Sequence, residues 1–310
     1  MWFKNIKLYR FTKPFELTDE ELEALLAEHA FQPCGKQDKM KYGWVSPLGR
    51  HSNMLTHACG GYIMICAQRQ EKILPAAVIN ERIAEKALEV EHKEGRKLYS
   101  KERAQLKDDI IASLLPQAFT KNQKLFAYIS PKEKLLVIDT SSNTKAEEML
   151  SFLRQSIETL PVVPPTTKQA PADVLTDWLQ QGFGTEGFTI SSECELYNPK
   201  EDVNVVRCKG QDLESDEIQG HLQAGKRVKQ LGVEWNESIS CVIDQDMAVK
   251  KIKFGDFVIE KANESDAEDA AQQFDQDFAV MTLELSRFLK ALIKAMGGLQ
   301  RKRVDLGEEE

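Results

Sequence analysis

The chain has 310 residues, a formal net charge of -8 at pH 7 and 42% apolar residues. This length permits a large core and predicts two or three subdomains, because single cores seldom grow beyond roughly 250 to 300 residues. The longest apolar runs, such as 62–67 and 135–138, are far shorter than the roughly 20 residues of a membrane-spanning helix. The sequence therefore predicts no transmembrane helix.

The N-terminus and the cysteines indicate a cytoplasmic protein. Residues 1–6 are amphipathic and lack the apolar core and small-residue cleavage site of a secretory signal. Six cysteines are too few and too scattered for a disulfide scaffold in a chain of this length. We therefore expect reduced thiols.

The first half of the sequence contains both strand and helix patterns. Apolar and polar residues alternate over 3–11, which predicts a half-buried strand. Thr18 with Glu21 predicts a helix that begins with a capping box. The other elements predicted here are a strand over 61–67, helical sequence over 76–115, a hairpin of strands over 124–130 and 134–140, and a helix begun by Thr144.

The second half begins with a predicted linker over 161–171, because its prolines suit neither a helix interior nor a sheet ladder. Beyond it, turn residues at 236–237 and 245–246 separate runs typical of an antiparallel meander. The predicted elements are strands over 203–209, 226–235, 238–244 and 248–254, a helix from Ser215 to Gly225, and a long helix over 275–296. The basic and then acidic tail from Gln300 is predicted to be disordered.

These patterns predict an α+β fold, with mixed helices and antiparallel sheets in two or three subdomains. The predicted division is an N-terminal α/β part (1–75), a helical basic segment (76–120), a hairpin plus helix completing the first domain (121–165), a C-terminal α+β domain (166–298) and a tail (299–310).

A basic block stands out in this acidic chain. It consists of Lys93, Arg96, Lys97, Lys101, Arg103 and Lys107. Only Glu94 and Glu102 interrupt it. On one helix, at about 100° per residue, the six cations would share an arc of roughly 160°, but Gly95 and Ser100 predict a break in it. Such a concentration of positive charge favours a polyanionic partner, and a solvated helix face is the alternative.

Further lysines, among them Lys121 and Lys124, surround the predicted hairpin. None of the basic segments resembles a recognition helix rich in Asn, Gln and Arg, so the sequence predicts contacts to phosphate rather than to base edges. The sequence contains no phosphate-binding loop and no dinucleotide fingerprint. We therefore expect no cofactor and no metal.

Two other interpretations stay open at this point. A metal-dependent nuclease or other nucleic-acid-processing enzyme would need carboxylates that converge in space, and Asp108, Asp109 and Asp275 are the candidates. Each of them also suits a simpler role on a helix surface or at a helix start. A protein-interaction module, whose basic block meets an acidic partner, is the third interpretation.

Short motifs spread along the chain resemble one known family. In chain order they are Trp2-Phe3-Lys4-Asn5, Phe31-Gln32-Pro33-Cys34-Gly35, Gly43-Trp44-Val45, Glu71-Lys72-Ile73-Leu74-Pro75, Ser113-Leu114-Leu115-Pro116, Leu160-Pro161-Val162-Val163-Pro164 and Phe274-Asp275. No single motif is diagnostic, but their joint order is specific. Over nearly its whole length the sequence resembles the bacterial recombination-associated protein RdgC family.

The resemblance implies a non-enzymatic protein that binds DNA without sequence preference. It implies a ring-shaped homodimer with two separate contacts, which encloses double-stranded DNA in a positively charged hole. It also implies a nucleoid-associated role in replication and recombination, as a negative modulator that competes with the RecA recombinase for DNA. By position, Arg96, Lys97 and Lys101 match basic residues that face DNA. Phe119 matches an aromatic at one dimer contact, and Gln211 lies where the family makes the other.

The sequence departs from the family pattern at two positions. Gly210 stands where a lysine is common, and Gln117 stands where a basic residue is common. Neither is therefore expected to contact DNA. Lys209 is the candidate to replace the missing lysine.

Overall fold

The computed structural model describes residues 1–264 and 267–300. Within them, eight α-helices and two antiparallel sheets form an α+β fold, as predicted. None of the helices in these ranges has a stretch long and apolar enough to span a bilayer.

The first sheet has seven strands and four accompanying helices. Its strands are β1 (Lys7–Phe11), β2 (Met40–Val45), β3 (Thr56–Cys59), β4 (Tyr62–Lys72), β5 (Thr120–Ser130), β6 (Leu135–Ile138) and β7 (Val162–Val163). They lie in the order β2-β4-β5-β6-β1-β7, and β3 pairs with β4. The helices are α1 (Asp19–Ala27), α2 (Ala76–Glu94), α3 (Ser100–Leu114) and α4 (Asn143–Ile157).

The second sheet has five strands in the order β12-β11-β10-β8-β9. They are β8 (Phe188–Asn198), β9 (Glu201–Lys209), β10 (Arg227–Trp235), β11 (Ile239–Asp244) and β12 (Val249–Phe254). The helices of this half are α5 (Pro171–Gln181), α6 (Asp216–Gln223), α7 (Asp256–Asn263) and α8 (Ala270–Ala295). The domain division at residues 161–171 stays a prediction.

Several predicted elements are confirmed. α1 begins at the capping box, in which the N–H of Glu21 donates to Thr18 Oγ1 at 3.2 Å. The break between α2 and α3 begins at Gly95. The hairpin of β5 and β6 and the meander of β10, β11 and β12 are also present as predicted. The predicted disorder is wrong for the first two residues of the tail, because Leu299 bridges Thr167 and the N–H of Gln300 donates to the carbonyl of Thr166 at 2.8 Å. The rest of the tail lies outside the described residues.

Other predictions are wrong for physical reasons. α4 begins after Ser142, whose hydroxyl accepts the N–H of Lys145 at 3.4 Å, and not at Thr144. The proline-rich segment is not a free linker, because β7 within it pairs with β1. Pro171 starts α5, since proline suits the first position of a helix. The sequence pattern did not reveal α5, β2, β3, β8 or α7.

The first sheet carries a hydrophobic core on each face. Alternate residues of a strand point to opposite faces, so in β6 Leu135 and Val137 enter one core while Leu136 and Ile138 enter the other. The inter-sheet core contains the first pair together with residues of the second sheet, α5, α6 and α8. The outer core contains the second pair and is closed by α1 and α4.

The first six residues connect the two sheets. Ile6 and Val249 exchange backbone hydrogen bonds of 2.7 and 3.0 Å, and the carbonyl of Lys4 accepts the N–H of Ile252 at 2.9 Å. The side chains of Phe3 and Ile6 are buried in the inter-sheet core. β1 begins later than predicted because the backbone before it pairs with the second sheet.

The inter-sheet core depends on α8, and this generates a stability prediction. Leu285 is completely buried, whereas Leu283 on the same helix is 43% exposed. We expect Leu285→Ala to lower the free energy of unfolding by about 2 to 5 kcal/mol, because it removes buried methyl groups and leaves a cavity. Leu283→Ala, the matched control, should change it by less than about 0.5 kcal/mol. Urea denaturation measures both, and equal losses would contradict the assigned packing.

Candidate nucleic-acid interface

α2 and α3 form an arm that is inserted between two paired strands. β4 and β5 pair along their whole length and end with Lys72 opposite Thr120. Just beyond, the N–H of Ile73 donates to the carbonyl of Phe119 at 2.7 Å. The arm, defined as residues 73–119, is therefore an enlarged connection of a β-hairpin and begins and ends at one point of the sheet.

The arm buries few of its side chains. Within α2 and α3 only Ala87 and Ile110 are buried. Large exposed apolar side chains of the arm are Ile73, Val78, Leu88, Tyr99 and Phe119. Phe119 is 83% exposed. Scattered exposed apolar residues are ordinary, whereas a contiguous apolar patch marks a surface that meets a partner.

Local hydrogen bonds form the tip of the arm between α2 and α3. Gly95 has a positive φ of 67°, which glycine adopts without strain, and its N–H donates to the carbonyl of Glu91 at 2.9 Å. The carboxylate of Glu91 accepts the N–H of Leu98 at 3.1 Å. The carboxylate of Glu102 accepts the N–H of Tyr99 at 2.8 Å, which satisfies the start of α3.

Arg96 stabilises this tip instead of projecting as a free cation. Its guanidinium lies 2.7 Å from a carboxylate oxygen of Glu94 and 2.8 Å from one of Glu102, and 5.0 Å from the ring centre of Tyr99. The hydrogen bond from Arg96, followed by that from the Tyr99 backbone, lowers the pKa of Glu102 to about 2. A phosphate could contact Arg96 only by displacing or joining these carboxylates.

The other five cations of the basic block are exposed and, within the described residues, form no ion pair. They are Lys93, Lys97, Lys101, Arg103 and Lys107. Residues 93–107 contain six cations and only two carboxylates, Glu94 and Glu102, which are both paired with Arg96, so this stretch has a net charge of +4. The end of the arm is therefore positive in a chain of net charge -8.

The tip does not present its cations as one stripe along one helix. Lys93 lies in the last turn of α2, Lys97 lies in the connection, and α3 carries the rest. On α3, Lys101 and Arg103 point about 160° apart, because they are two positions apart and each position rotates by about 100°. The predicted arc of six cations along one helix is therefore wrong, and the positive charges are distributed around the tip.

Lys121 and Lys124 are exposed on β5, at the root of the arm. They lie opposite Glu71 and Gln68 of β4, respectively. Being three residues apart on one strand, they point to opposite faces of the sheet. α3, with 15 residues, is about 22 Å long at 1.5 Å per residue. The structure therefore places five of the eight predicted DNA-binding residues at or beside the tip, Lys107 halfway along α3, and these two at the root.

Gln211 follows β9, far along the chain from the arm. Its side-chain amide donates to a carboxylate oxygen of Glu217 at 3.1 Å. Gly210, directly before it, has a positive φ of 67°. Lys209, the candidate substitute for a family lysine, is exposed at the end of β9.

The carboxylates considered for a nuclease occupy separate elements. Asp108 and Asp109 lie on α3, and Asp109 accepts a hydrogen bond from Gln105 at 3.1 Å. Asp275 lies on α8, 3.1 Å from Nε2 of His57. Over residues 1–264 and 267–300, no group of three or more His, Cys, Asp or Glu side chains has the arrangement of a metal site.

Comparison with known proteins gives a match over nearly the whole chain. A family model described as "Putative exonuclease, RdgC" matches residues 1–299. The recombination-associated protein RdgC of Aeromonas hydrophila is 45% identical over 298 residues, which cover 96% of this chain and 98% of the relative. Proteins of the same name from Tolumonas auensis and Pseudomonas putida are 43% and 42% identical, each over 96% of this chain and 99% and 98% of their own.

An α+β chain with a helical arm whose tip is cationic is thus shown to be one of the recombination-associated proteins. It belongs to the RdgC family. The relatives are named for recombination and not for a catalytic activity, whereas the description of the family model names an exonuclease.

The tip geometry predicts a shifted titration. Arg96→Ala should raise the pKa of Glu102 from about 2 towards the ordinary 4.5, because the main stabiliser of the carboxylate is removed. Because the pKa of Glu102 is depressed, its pair with Arg96 stabilises the tip fully at pH values above the ordinary pKa of a glutamate. This stabilisation is lost as the pH falls through about 2. NMR titration of the side-chain carboxyl carbons measures this shift.

Glu21 serves as the internal control of that titration. Hydrogen bonds from Thr18 lower its pKa in the α1 capping box, so the Arg96 substitution should not affect it. An unchanged pKa of Glu102 in the variant would show that the pair does not form in solution.

Proposed function

We propose that this protein binds double-stranded DNA without sequence preference and acts in recombination through that binding. The observation that supports this proposal is the set of five exposed cations at the tip and along α3, which have no carboxylate partner in the described residues. Lysine and arginine neutralise phosphates and release counterions, which gives affinity for any sequence. The family membership supports a role in recombination.

The proposed contacts differ in strength. Lys93, Lys97, Lys101, Arg103 and Lys107 are available at once, because a phosphate would not compete with an existing ion pair. Arg96 is assigned to holding the tip and contacts phosphate secondarily. Lys121 and Lys124 extend the proposed DNA path to the root of the arm. Because they point to opposite faces of the sheet, at most one of them faces a given strand of DNA.

The distribution of charge supports a defined DNA path. Outside the tip the chain is acidic, so its outer surfaces would repel the DNA backbone and leave the tip of the arm as the attractive region. Contacts of this kind do not distinguish bases, and single-stranded DNA is expected to bind as well. The nucleoid follows as the place of action.

We further propose a ring-shaped homodimer that encloses the duplex, with Phe119 and Gln211 in its two contacts. The 83% exposed ring of Phe119 and the other apolar side chains of the arm support the first contact. At the second, Gln211 keeps its carbonyl oxygen free to accept a hydrogen bond, because only its amide nitrogen is engaged with Glu217. Such a ring would limit RecA filaments by occupying DNA and would support replication in the same way.

The protein is thus proposed to bind DNA and not to catalyse a reaction. The exonuclease named in the family description requires groups that bind a metal or activate water. Asp108, Asp109 and Asp275 are divided between α3 and α8, and Asp275 is engaged with His57. A labelled duplex incubated with the protein and magnesium should remain at full length on a denaturing gel.

DNA affinity should depend on the tip cations and on salt. Replacing Lys97, Lys101 and Lys107 together by alanine should weaken binding to unrelated duplexes equally. It should also reduce the slope of log affinity against log salt by about three, at roughly 0.9 for each phosphate that the variant no longer neutralises. Fluorescence anisotropy across a salt series measures both effects.

The matched control changes the same charge elsewhere. Lys36, Lys200 and Lys261 are exposed lysines remote in sequence from the arm, and their triple alanine variant should retain the affinity and slope of the original protein. If both triple variants lose affinity equally, net charge and not the tip governs binding. If the tip variant binds as before, the arm is not the DNA path.

Dimerisation should depend on Phe119. Phe119→Ala should weaken self-association but change the free energy of unfolding of the subunit by less than about 0.5 kcal/mol, because the ring packs on little of its own chain. Phe257, 54% exposed near the start of α7, is the matched control, and Phe257→Ala should leave association unchanged. Sedimentation equilibrium measures the dimer constant. A constant unaffected by Phe119→Ala would remove this residue from the interface.

A further inference from the structure

Two cysteines lie directly opposite each other in the second sheet. Cys194 of β8 pairs with Cys208 of β9 in the antiparallel register. The register is regular at this position, and its irregularity lies farther along, between Tyr197 and Asn198. β9 is the edge strand of this sheet.

This register brings the thiols within reach of a disulfide. Directly opposite residues in antiparallel strands have Cα atoms about 4.5 or 5.5 Å apart, depending on the type of pair. Both separations lie within the roughly 4.4 to 6.8 Å that disulfides span. Opposite residues also point to the same face of a sheet, and both cysteines are buried in the inter-sheet core.

The two thiols already interact. Burial raises the pKa of Cys194 to about 12, and the neighbouring thiol of Cys208 contributes to the shift through its charge and a hydrogen bond. Little Cys194 thiolate is therefore present at neutral pH, so the reaction of Cys194 with an oxidant is expected to be slow and to accelerate with rising pH.

The other four cysteines have no thiol opposite them. Cys59 lies opposite Tyr62, Cys66 lies between Val45 and Phe126, and Cys241 lies opposite Val233. Cys34 is outside the strands, and its thiol approaches the carbonyl of Gln70 at 3.5 Å. All six are free thiols in this structure.

The two thiols lie on the buried face of the sheet. Their strand neighbours Glu195 and Arg207 point to the other face, where Arg207 is held 2.8 Å from Glu195 and a cleft of about 150 Å³ lies beside them. A small oxidant such as hydrogen peroxide, and not a bulky disulfide reagent, is therefore the reagent expected to reach the thiols.

We propose that Cys194 and Cys208 are a modification site that closes into a reversible cross-strand disulfide when the protein meets a peroxide. One sulfur attacks a peroxide oxygen and becomes a sulfenic acid, while the other oxygen leaves as water after taking up a proton. The second thiol then attacks the sulfenic sulfur, its proton leaves with the hydroxyl as water, and the S–S bond forms. Two thiols are oxidised and one peroxide is reduced to two waters.

The disulfide would fasten the edge strand β9 to the sheet. The two strands follow each other in sequence and are connected by the short turn after β8. The disulfide would therefore close a short loop and reduce the freedom of the unfolded chain in that region. β9 leads directly into Gly210 and Gln211. This inference rests on the register of β8 and β9 and holds whether or not the protein binds DNA.

The test is thiol counting and peptide mapping of the full chain after treatment with hydrogen peroxide. Thiols titrated in denaturant should fall from six to four, with the loss of two hydrogens in mass and one crosslinked peptide pair containing residues 194 and 208. Dithiothreitol should restore all thiols. The rate should rise with pH, and the oxidised protein should have a higher melting temperature than the reduced protein.

Variants separate this pair from general oxidation. Cys194→Ser should abolish the crosslink, whereas Cys34→Ser should leave it intact. Mapping on the unsubstituted protein decides the matter even if a serine variant folds poorly. Six thiols after treatment, a sulfinic acid at either position in place of the crosslink, or a disulfide that joins another pair would overturn the proposal.

Discussion

The arrangement of the molecule depends on how its first six residues are held between two sheets. The carboxylate of Asp139, which follows β6, accepts the N–H groups of Lys4 and Asn5 at 3.0 and 2.9 Å. Directly after them, Ile6 pairs with Val249 of the second sheet. Ile6 is fully buried, and buried backbone groups need such partners, so its pairing with Val249 requires the second sheet to be in place. Assembly of the inter-sheet core therefore orders the chain from its beginning to α8.

The arm, in contrast, is held together by contacts between residues that are close in sequence. Its tip is closed by hydrogen bonds that all lie between Glu91 and Glu102, and its helices bury little. Charge can therefore accumulate there without the desolvation cost that a core would impose. The body contains most of the buried core, and the arm is connected to it at the paired ends of β4 and β5.

Sequence reasoning succeeded where one local signal decides the structure. The Thr18–Glu21 capping box and the break at Gly95 are of this kind. It failed at Pro171, where a proline interpreted as a linker signal is the first residue of a helix. It also missed β2, in which Gly43 lets the strand approach the backbone of Phe31 more closely than a Cβ would allow. The pairing of Arg96 with Glu102 escaped notice because it forms across a turn whose geometry has to be known first.

The insertion point of the arm has an evolutionary consequence. Because Lys72 and Thr120 are paired neighbours at the strand ends, a tight two-residue turn could replace residues 73–119 without moving either sheet. The arm is thus a removable module, free to lengthen, shorten or change its composition while selection on the cores continues unchanged. Related chains could accordingly differ in the reach of their arms while keeping one common body.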